Sequence, residues 1–222
     1  MTEEPFPLFL MIFSGACWTL VYLDGIRLGL RDRTYAIPFC ALALNLAWEL
    51  LNAVIEFRES GLVTQVWISS IWLLLDLGIL YTFLRYGRRE FPERLPSSWF
   101  LPWTLLAIAV ALVLQLAFIL EFGFLVGRAY AAFLQNLLMS VLFIGMLVRR
   151  GHRGGQSLTI AVSKWLGTLA PTILFGVLGT STFEGPSSFI LIIGLFCALF
   201  DLIYIWMLAQ TQLWPRPATN SR

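Results

Sequence analysis

Charge is scarce in this sequence. Charged residues make up 13% of its 222 positions, against about 25% in a soluble domain, and that shortfall excludes an ordinary water-facing globular surface. Histidine occurs once, at His152, in the polar stretch 149–156, where a solvated loop position is expected. The 3 cysteines, Cys17, Cys40 and Cys197, lie inside apolar blocks without CxxC spacing, which argues against a disulfide framework or a cysteine-based zinc site. No two aspartates are adjacent, so the aspartate-rich motif for magnesium and diphosphate is missing. GxxxxGK[ST], HExxH and GxSxG are missing too, which removes the signatures of P-loop, zincin and serine-hydrolase chemistry. Of the 15 basic residues only Lys164 is a lysine, a bias that suggests GC-rich coding DNA and a bacterial or fungal source. Residues 1–7 hold two acids and no base, unlike the positive start of a secretory signal. The first apolar block is therefore expected to stay as a helix.

Hydrophobic residues are abundant, at 59%, and they come in long runs with the charges clustered between them. A transmembrane helix needs about 20 mostly apolar residues. Seven are expected, at 8–27, 36–57, 62–84, 99–120, 125–148, 158–179 and 188–210. The expected fold is all-α, a polytopic membrane protein forming a single seven-helix transmembrane domain over residues 1–222. Its weakest break is Glu121 to Gly127, where the fourth and fifth helices nearly run together.

Basic residues fix the expected orientation. With the N-terminus outside, the inner loops and tail hold Arg27, Arg31, Arg33, Arg85, Arg88, Arg89, Arg94, Arg149, Arg150, Arg153, Arg216 and Arg222. The outer side receives Arg58 and Arg128, and Lys164 falls near the inner end of helix 6. Cytoplasmic loops attract such an excess, so the topology is read as N-out, C-in. Trp99, Trp103, Trp165 and Trp214 lie near helix ends, as interfacial anchors do.

Ionisable groups at membrane depth are expensive and usually face the bundle interior. Four acids fall within the expected helices: Glu49 and Glu56 on helix 2, Asp76 on helix 3, Asp201 on helix 7. On helix 2 the polar residues Asn45, Glu49, Asn52 and Glu56 are spaced four, three and four apart, which places them on one face. Gln65, Ser69, Trp72 and Asp76 repeat the pattern on helix 3, and Asp201 and Tyr204 share a face of helix 7. Helix 5 adds Gln135 and Asn136, and helix 4 adds Gln115. At a rise of about 1.5 Å per residue, Asp76 and Asp201 fall roughly 13–14 Å from the inner boundary, and Glu49 about 6 Å further out. Glu49, Asp76 and Asp201 are thus expected to converge on one cavity, whereas Glu56 is expected to reach water at the outer edge. No base is expected at their depth, so some of these acids should stay neutral. A neutral buried carboxylic acid is a proton donor. Trp48, Trp72 and Tyr204 each lie beside or one turn from a buried acid, where a ring face can stabilise a carbocation. Without a deep base, the expected ligand is neutral and oily, and neither nucleic acid nor an anionic substrate is expected in the core.

The run Asn45-Leu-Ala-Trp48-Glu49, with Asp76 and Asp201-Leu-Ile-Tyr204, resembles the small membrane-bound terpene cyclases of fungal meroterpenoid and bacterial indole-sesquiterpene pathways. The resemblance covers nearly the whole chain in length, helix number and placement of the acids. It implies an enzyme of isomerase or lyase type that needs no metal or other cofactor and works on a farnesyl-type prenylated aromatic such as an indole. It also implies that an acid on helix 2 and one on helix 7, here Glu49 and Asp201, take part in protonating a terminal epoxide or alkene. Asn45, Asn52 and Tyr204 are expected to fix the donor, Asp76 to polarise it or serve structure, and Trp48 and Trp72 to hold the cation. A prenyltransferase and an epoxidase are the pathway neighbours implied, and a bacterial cell membrane is the favoured location over a fungal endomembrane.

The rival reading is a small seven-helix carrier with an acidic proton relay. A carrier is expected to carry repeats and broken helices. Here no clear repeat or PQ dipeptide is found, and Pro171 is the one proline well inside a helix. A membrane assembly or sensor subunit would be expected to offer a sizeable loop or tail, yet the longest loop expected here, 85–98, is short.

Overall fold

The computed structural model describes residues 5–61 and 64–210. Seven helical segments in it are long and apolar enough to cross a membrane, built on α1 (Pro5–Asp32), α2 (Phe39–Ser60), α3 (Thr64–Tyr86), α4 (Phe100–Phe122), α5 (Phe124–Arg150), α6 (Leu158–Pro171), whose span is completed by a helical continuation to Leu178, and α7 (Ser188–Gln210). The chain is a multi-pass membrane protein. Trp214, Arg216 and Arg222 lie outside the described residues, as does the side chain of Gln65.

The helices close a ring in the order α1–α3–α2–α4–α5–α7–α6, and α2 and α5 also touch across it. Periodicity explains the exposed faces. On α4 the buried residues are Phe100, Thr104, Ala111 and Gln115, one narrow seam on a helix otherwise turned outward. On α7 they are Ile190, Gly194, Cys197, Asp201, Tyr204 and Leu208, alternating steps of four and three that mark a single packed stripe. In lipid, apolar side chains gain little by hiding from their solvent, so close packing and polar contacts hold helices together.

The two ends of the bundle differ. At the end where α1 finishes, a continuous apolar core fills the space between helices, with Leu28, Leu42, Ile79, Phe143, Leu147 and Ile160 all fully buried. Phe83 anchors it, stacking on Phe39 at 4.1 Å between centroids. The same end carries a polar clamp. Arg150 bonds both carboxylate oxygens of Glu90 at 2.8 and 2.9 Å, the carbonyls of Tyr35 and Gly154, and lies over the Tyr35 ring. The other end, where α1 begins, is hollow.

Two departures from the expected helices matter for that hollow. The break between α4 and α5 is a single residue, Gly123, at φ 76°, rather than the seven residues from Glu121 to Gly127. Glycine adopts that backbone without a Cβ clash, so both helices run on to the corner. On α6, Pro171 marks the junction to a wider π-helical turn over Thr172–Leu178, because proline supplies no backbone donor to the α-ladder. Turns of this kind often sit at functional sites. Trp99 and Trp103 are exposed near the start of α4, as anchors should be. Trp165 instead buries its indole nitrogen without a partner among the described residues.

Candidate active site

A cavity of about 720 Å³ occupies the hollow end, walled by α1, α2, α3, α5 and the π-turn end of α6. That volume falls within the range of small-molecule sites, about 300–1,000 Å³. Its deepest lining residues on each helix, Tyr22, Asn45, Trp72, Asn136 and Thr168, all lie near mid-helix. Beyond them the packed core begins.

Glu49 is the acid in the wall among the described residues. It is 3% exposed, its Oε2 is buried, and no group among the described residues donates a hydrogen bond to it. Trp48, Trp72, Trp18 and Phe133 share the lining with it. The Trp48 indole N–H donates to the Arg128 carbonyl at 2.8 Å, which fixes that ring. The Trp72 indole reaches Thr19 Oγ1 at 3.4 Å.

Below Glu49 runs a connected polar layer. The Asn45 amide nitrogen donates to Asp76 Oδ2 at 2.8 Å and to the Tyr22 hydroxyl, while its oxygen accepts from Gln135 at 3.1 Å. Gln135 in turn accepts from Gln115 at 2.6 Å. Asp76 is fully buried behind this layer, with Oδ1 unpartnered among the described residues. Asn45 therefore ties α1, α2, α3 and α5 together one turn from Glu49.

The helix 2 stripe is thus inward and buried along its length, but its members do different things. Asn52, expected to orient Glu49, instead donates to the Trp48 carbonyl at 2.7 Å and accepts from Arg128. Glu56, expected to reach water, is 8% exposed and ion-paired to Arg128. The correction follows from the short α4–α5 corner, which brings the start of α5 against α2.

Helix 7 departs further from expectation. Lys164 is fully buried, and its Nζ lies 2.8 and 3.0 Å from the two Asp201 oxygens and 2.7 Å from Ser140 Oγ. The expectation that no base lies deep in the bundle is overturned. Asp201 is not part of the cavity wall, so the three acids do not converge on one cavity. Tyr204 is fully buried and donates to Gln156 Oε1 at 2.9 Å. It holds the α5–α6 loop instead of a proton donor.

With this geometry in view, comparison with known proteins is decisive. The family model of the Pyr4-like transmembrane terpene cyclases matches residues 4–213. The chain belongs to that family. The chain is similar to the Pyr4-family terpene cyclase mfmH of Annulohypoxylon moriforme, 32% identical over 173 residues, covering 75% of this chain and 68% of the relative. It is also similar to terpene cyclase pyr4 of Aspergillus fumigatus, at 29% over 203 residues, covering 89% and 83%. A third similar protein is terpene cyclase ascF of Acremonium egyptiacum, at 32% over 176 residues, covering 71% and 62%. The aligned stretch thus takes in between 62 and 83% of these relatives' own lengths. All three are fungal, which lends no support to the favoured bacterial location. No solved structure matches the chain.

Sequence reasoning missed Arg128, Lys164 and Tyr22 as parts of this Pyr4-like architecture. A signal existed for Lys164, since a lone lysine inside an apolar helix demands a partner.

Proposed function

We propose that this chain cyclises a prenylated aromatic by protonating the terminal epoxide or alkene of its farnesyl-type chain, with Glu49 as the donor. The observation that carries the reading is the position of Glu49, a buried carboxyl with no hydrogen-bond donor among the described residues, in the wall of an aromatic-lined cavity. The Glu49 O–H proton passes to the epoxide oxygen, the C–O bond opens, and the neighbouring alkene supplies electrons to the carbon left behind. Successive alkenes close rings. Loss of a C–H proton to water or to the Glu49 carboxylate ends the cascade. The faces of Trp48 and Trp72 favour the cation while it lasts, and the dry wall limits premature capture by water. Holding the chain folded for attack supplies much of the remaining acceleration.

In this reading Asp76 acts through Asn45 as a positioning residue, and Asp201 serves as the anion of a buried pair. The arginine-rich end faces the cytoplasm, keeping the N-out, C-in orientation. A prenyltransferase and an epoxidase are the classes of enzyme that would supply the substrate.

The test is Glu49→Gln in membrane fractions given farnesylated indole and its terminal epoxide, with products read by mass spectrometry. Removing a general acid should lower turnover about 10²–10⁴-fold while thermal stability stays near wild type. Cyclisation by the variant at the wild-type rate would remove Glu49 from the chemistry. Vesicle uptake of unconverted probe would move the reading to a carrier.

A further inference from the structure

We propose that Arg128 is a substrate-recognition residue that binds a neutral oxygen acceptor, a carbonyl or phenolic oxygen, on the head of the ligand whose apolar chain fills the Glu49 cavity. The proposal rests on the cyclase reading for the identity of the chain, and on separate observations for the head.

Arg128 is the one basic side chain in the cavity wall among the described residues, and it also lines a second, shallower hollow of about 640 Å³. The two spaces therefore share Arg128 in their walls. Their chemistry differs. The deep side offers Trp18, Trp72, Phe133 and Leu174. The shallow side mixes Phe122, Phe124, Leu125 and Val126 at the α4–α5 corner with the polar Glu56, Glu59, Ser181 and Thr182. A ligand occupying both needs an apolar chain on the deep side and finds polar partners for a head atom on the shallow side.

The guanidinium is held in place without being used up. Its Nη1 donates to Glu56 and Asn52, and its plane lies near the Phe124 ring, 4.9 Å from the centroid. The Nε and Nη2 hydrogens have no acceptor among the described residues, although the side chain is 28% exposed. Arginine presents its donors in a rigid fork, so fixing one nitrogen aims the rest. Position adds a second argument. Arg128 lies near the start of α5, where the helix dipole disfavours a cation. A base retained there has to be repaid by an anion, which Glu56 supplies, or by a ligand.

Charge selects the head. Arg128 contributes one positive charge at the mouth, against Glu56 and Glu59. The balance repels a diphosphate or carboxylate, while a neutral oxygen still gains a charge-assisted hydrogen bond. Serine and threonine hydroxyls in the shallow hollow suit the same kind of head.

The experiment uses the full chain in lipid nanodiscs with two probes: the terminal epoxide of a farnesylated phenol, and the terminal epoxide of farnesylbenzene, which lacks the ring oxygen. Binding is read from tryptophan fluorescence, since Trp48 and Trp72 line the cavity, and turnover by mass spectrometry. Arg128→Gln should weaken binding and raise KM for the phenol probe about ten- to hundredfold, with kcat close to wild type and the benzene probe unaffected. Because Arg128→Gln strands Glu56, the charge-balanced double variant Arg128→Gln/Glu56→Gln is made beside it and should show the same selective loss. Equal weakening of both probes, or no weakening of either, would overturn the proposal, as would failure of both probes to bind wild type. Head-dependent binding without any turnover would keep the Arg128 subsite and overturn the cyclase reading alone.

Discussion

Lys164 Nζ lies within 3.0 Å of both carboxylate oxygens of Asp201, and both side chains are almost wholly shielded, at 0 and 1% exposure. The pair joins α6 to α7, and the Ser140 hydroxyl extends it to α5. A buried ion pair adds little net stability over an apolar replacement, but removing one partner leaves an uncompensated charge in the bundle. Lys164→Met should therefore cost about 3–5 kcal/mol, seen as a lower unfolding temperature in detergent. Lys164→Met/Asp201→Leu should recover most of it. A double variant as unstable as the single one would sink the pairing argument. If the double variant is stable and still cyclises, the Asp201 carboxyl is needed only as the counter-charge of Lys164. If it is stable and inactive, Asp201 has a chemical role of its own.

Asn45 separates the roles of the two remaining acids. It bonds Tyr22, Asp76 and Gln135 at once, so Asn45→Leu strands several buried polar groups at about 1–3 kcal/mol each. Asp76→Asn keeps an oxygen able to accept from the Asn45 amide. The expected outcome is a marked loss of thermal stability for Asn45→Leu, and turnover within about tenfold of wild type for Asp76→Asn, a loss of one hydrogen bond's order. Abolished turnover in a stable Asp76→Asn protein would give Asp76 a place in proton transfer.

How much of this was legible beforehand depends on the kind of information each residue carries. The stripe Asn45–Glu49–Asn52–Glu56 was readable because lipid tolerates no outward polar face, so spacing alone turns these residues inward. The ends of α4 and α5 were not readable to a residue, since one glycine, Gly123, makes a turn that composition spreads over seven positions. The Lys164–Asp201 pair was hidden by counting depth along the backbone. Lys164 is six residues into α6 and Asp201 nine residues from the end of α7, a difference of roughly 4–5 Å in rise. The lysine stem spans that gap by reaching inward. Tyr204 shared the right face of α7 with Asp201, yet its hydroxyl points along the helix to Gln156. Periodicity gives a face and leaves side-chain direction open.

The aromatic wall makes a graded prediction. Trp48→Phe keeps a ring face beside Glu49 but loses the bond to the Arg128 carbonyl. Trp48→Leu loses both. A desolvated cation–π contact contributes about 2 kcal/mol, so Trp48→Leu should slow turnover on the order of thirtyfold and raise the share of early-quenched, less cyclised products. Trp48→Phe should fall between it and wild type. Product ratios from gas chromatography check the order, and identical profiles for all three proteins would remove Trp48 from cation handling.

The α4–α5 corner gives the most local test, because the cavity wall at Arg128 depends on how closely α5 starts against α4. A Cβ on Gly127 would collide with the Phe118 carbonyl oxygen and lie 2.9 Å from Ile119 Cα. Both are backbone atoms, so no side-chain movement relieves the contact, and the helices have to part. Gly127→Ala should cost about 1–3 kcal/mol, as overpacking does, and should also raise KM by shifting Arg128, the next residue. Gly145, on the same helix, has nothing within 4 Å of its would-be Cβ. Gly145→Ala should be neutral or stabilising by up to about 1 kcal/mol, since alanine restricts the unfolded chain more than glycine does. Thermal unfolding of the two variants side by side checks the contrast. Equal stability would mean that the one-residue corner does not set the approach of α4 to α5.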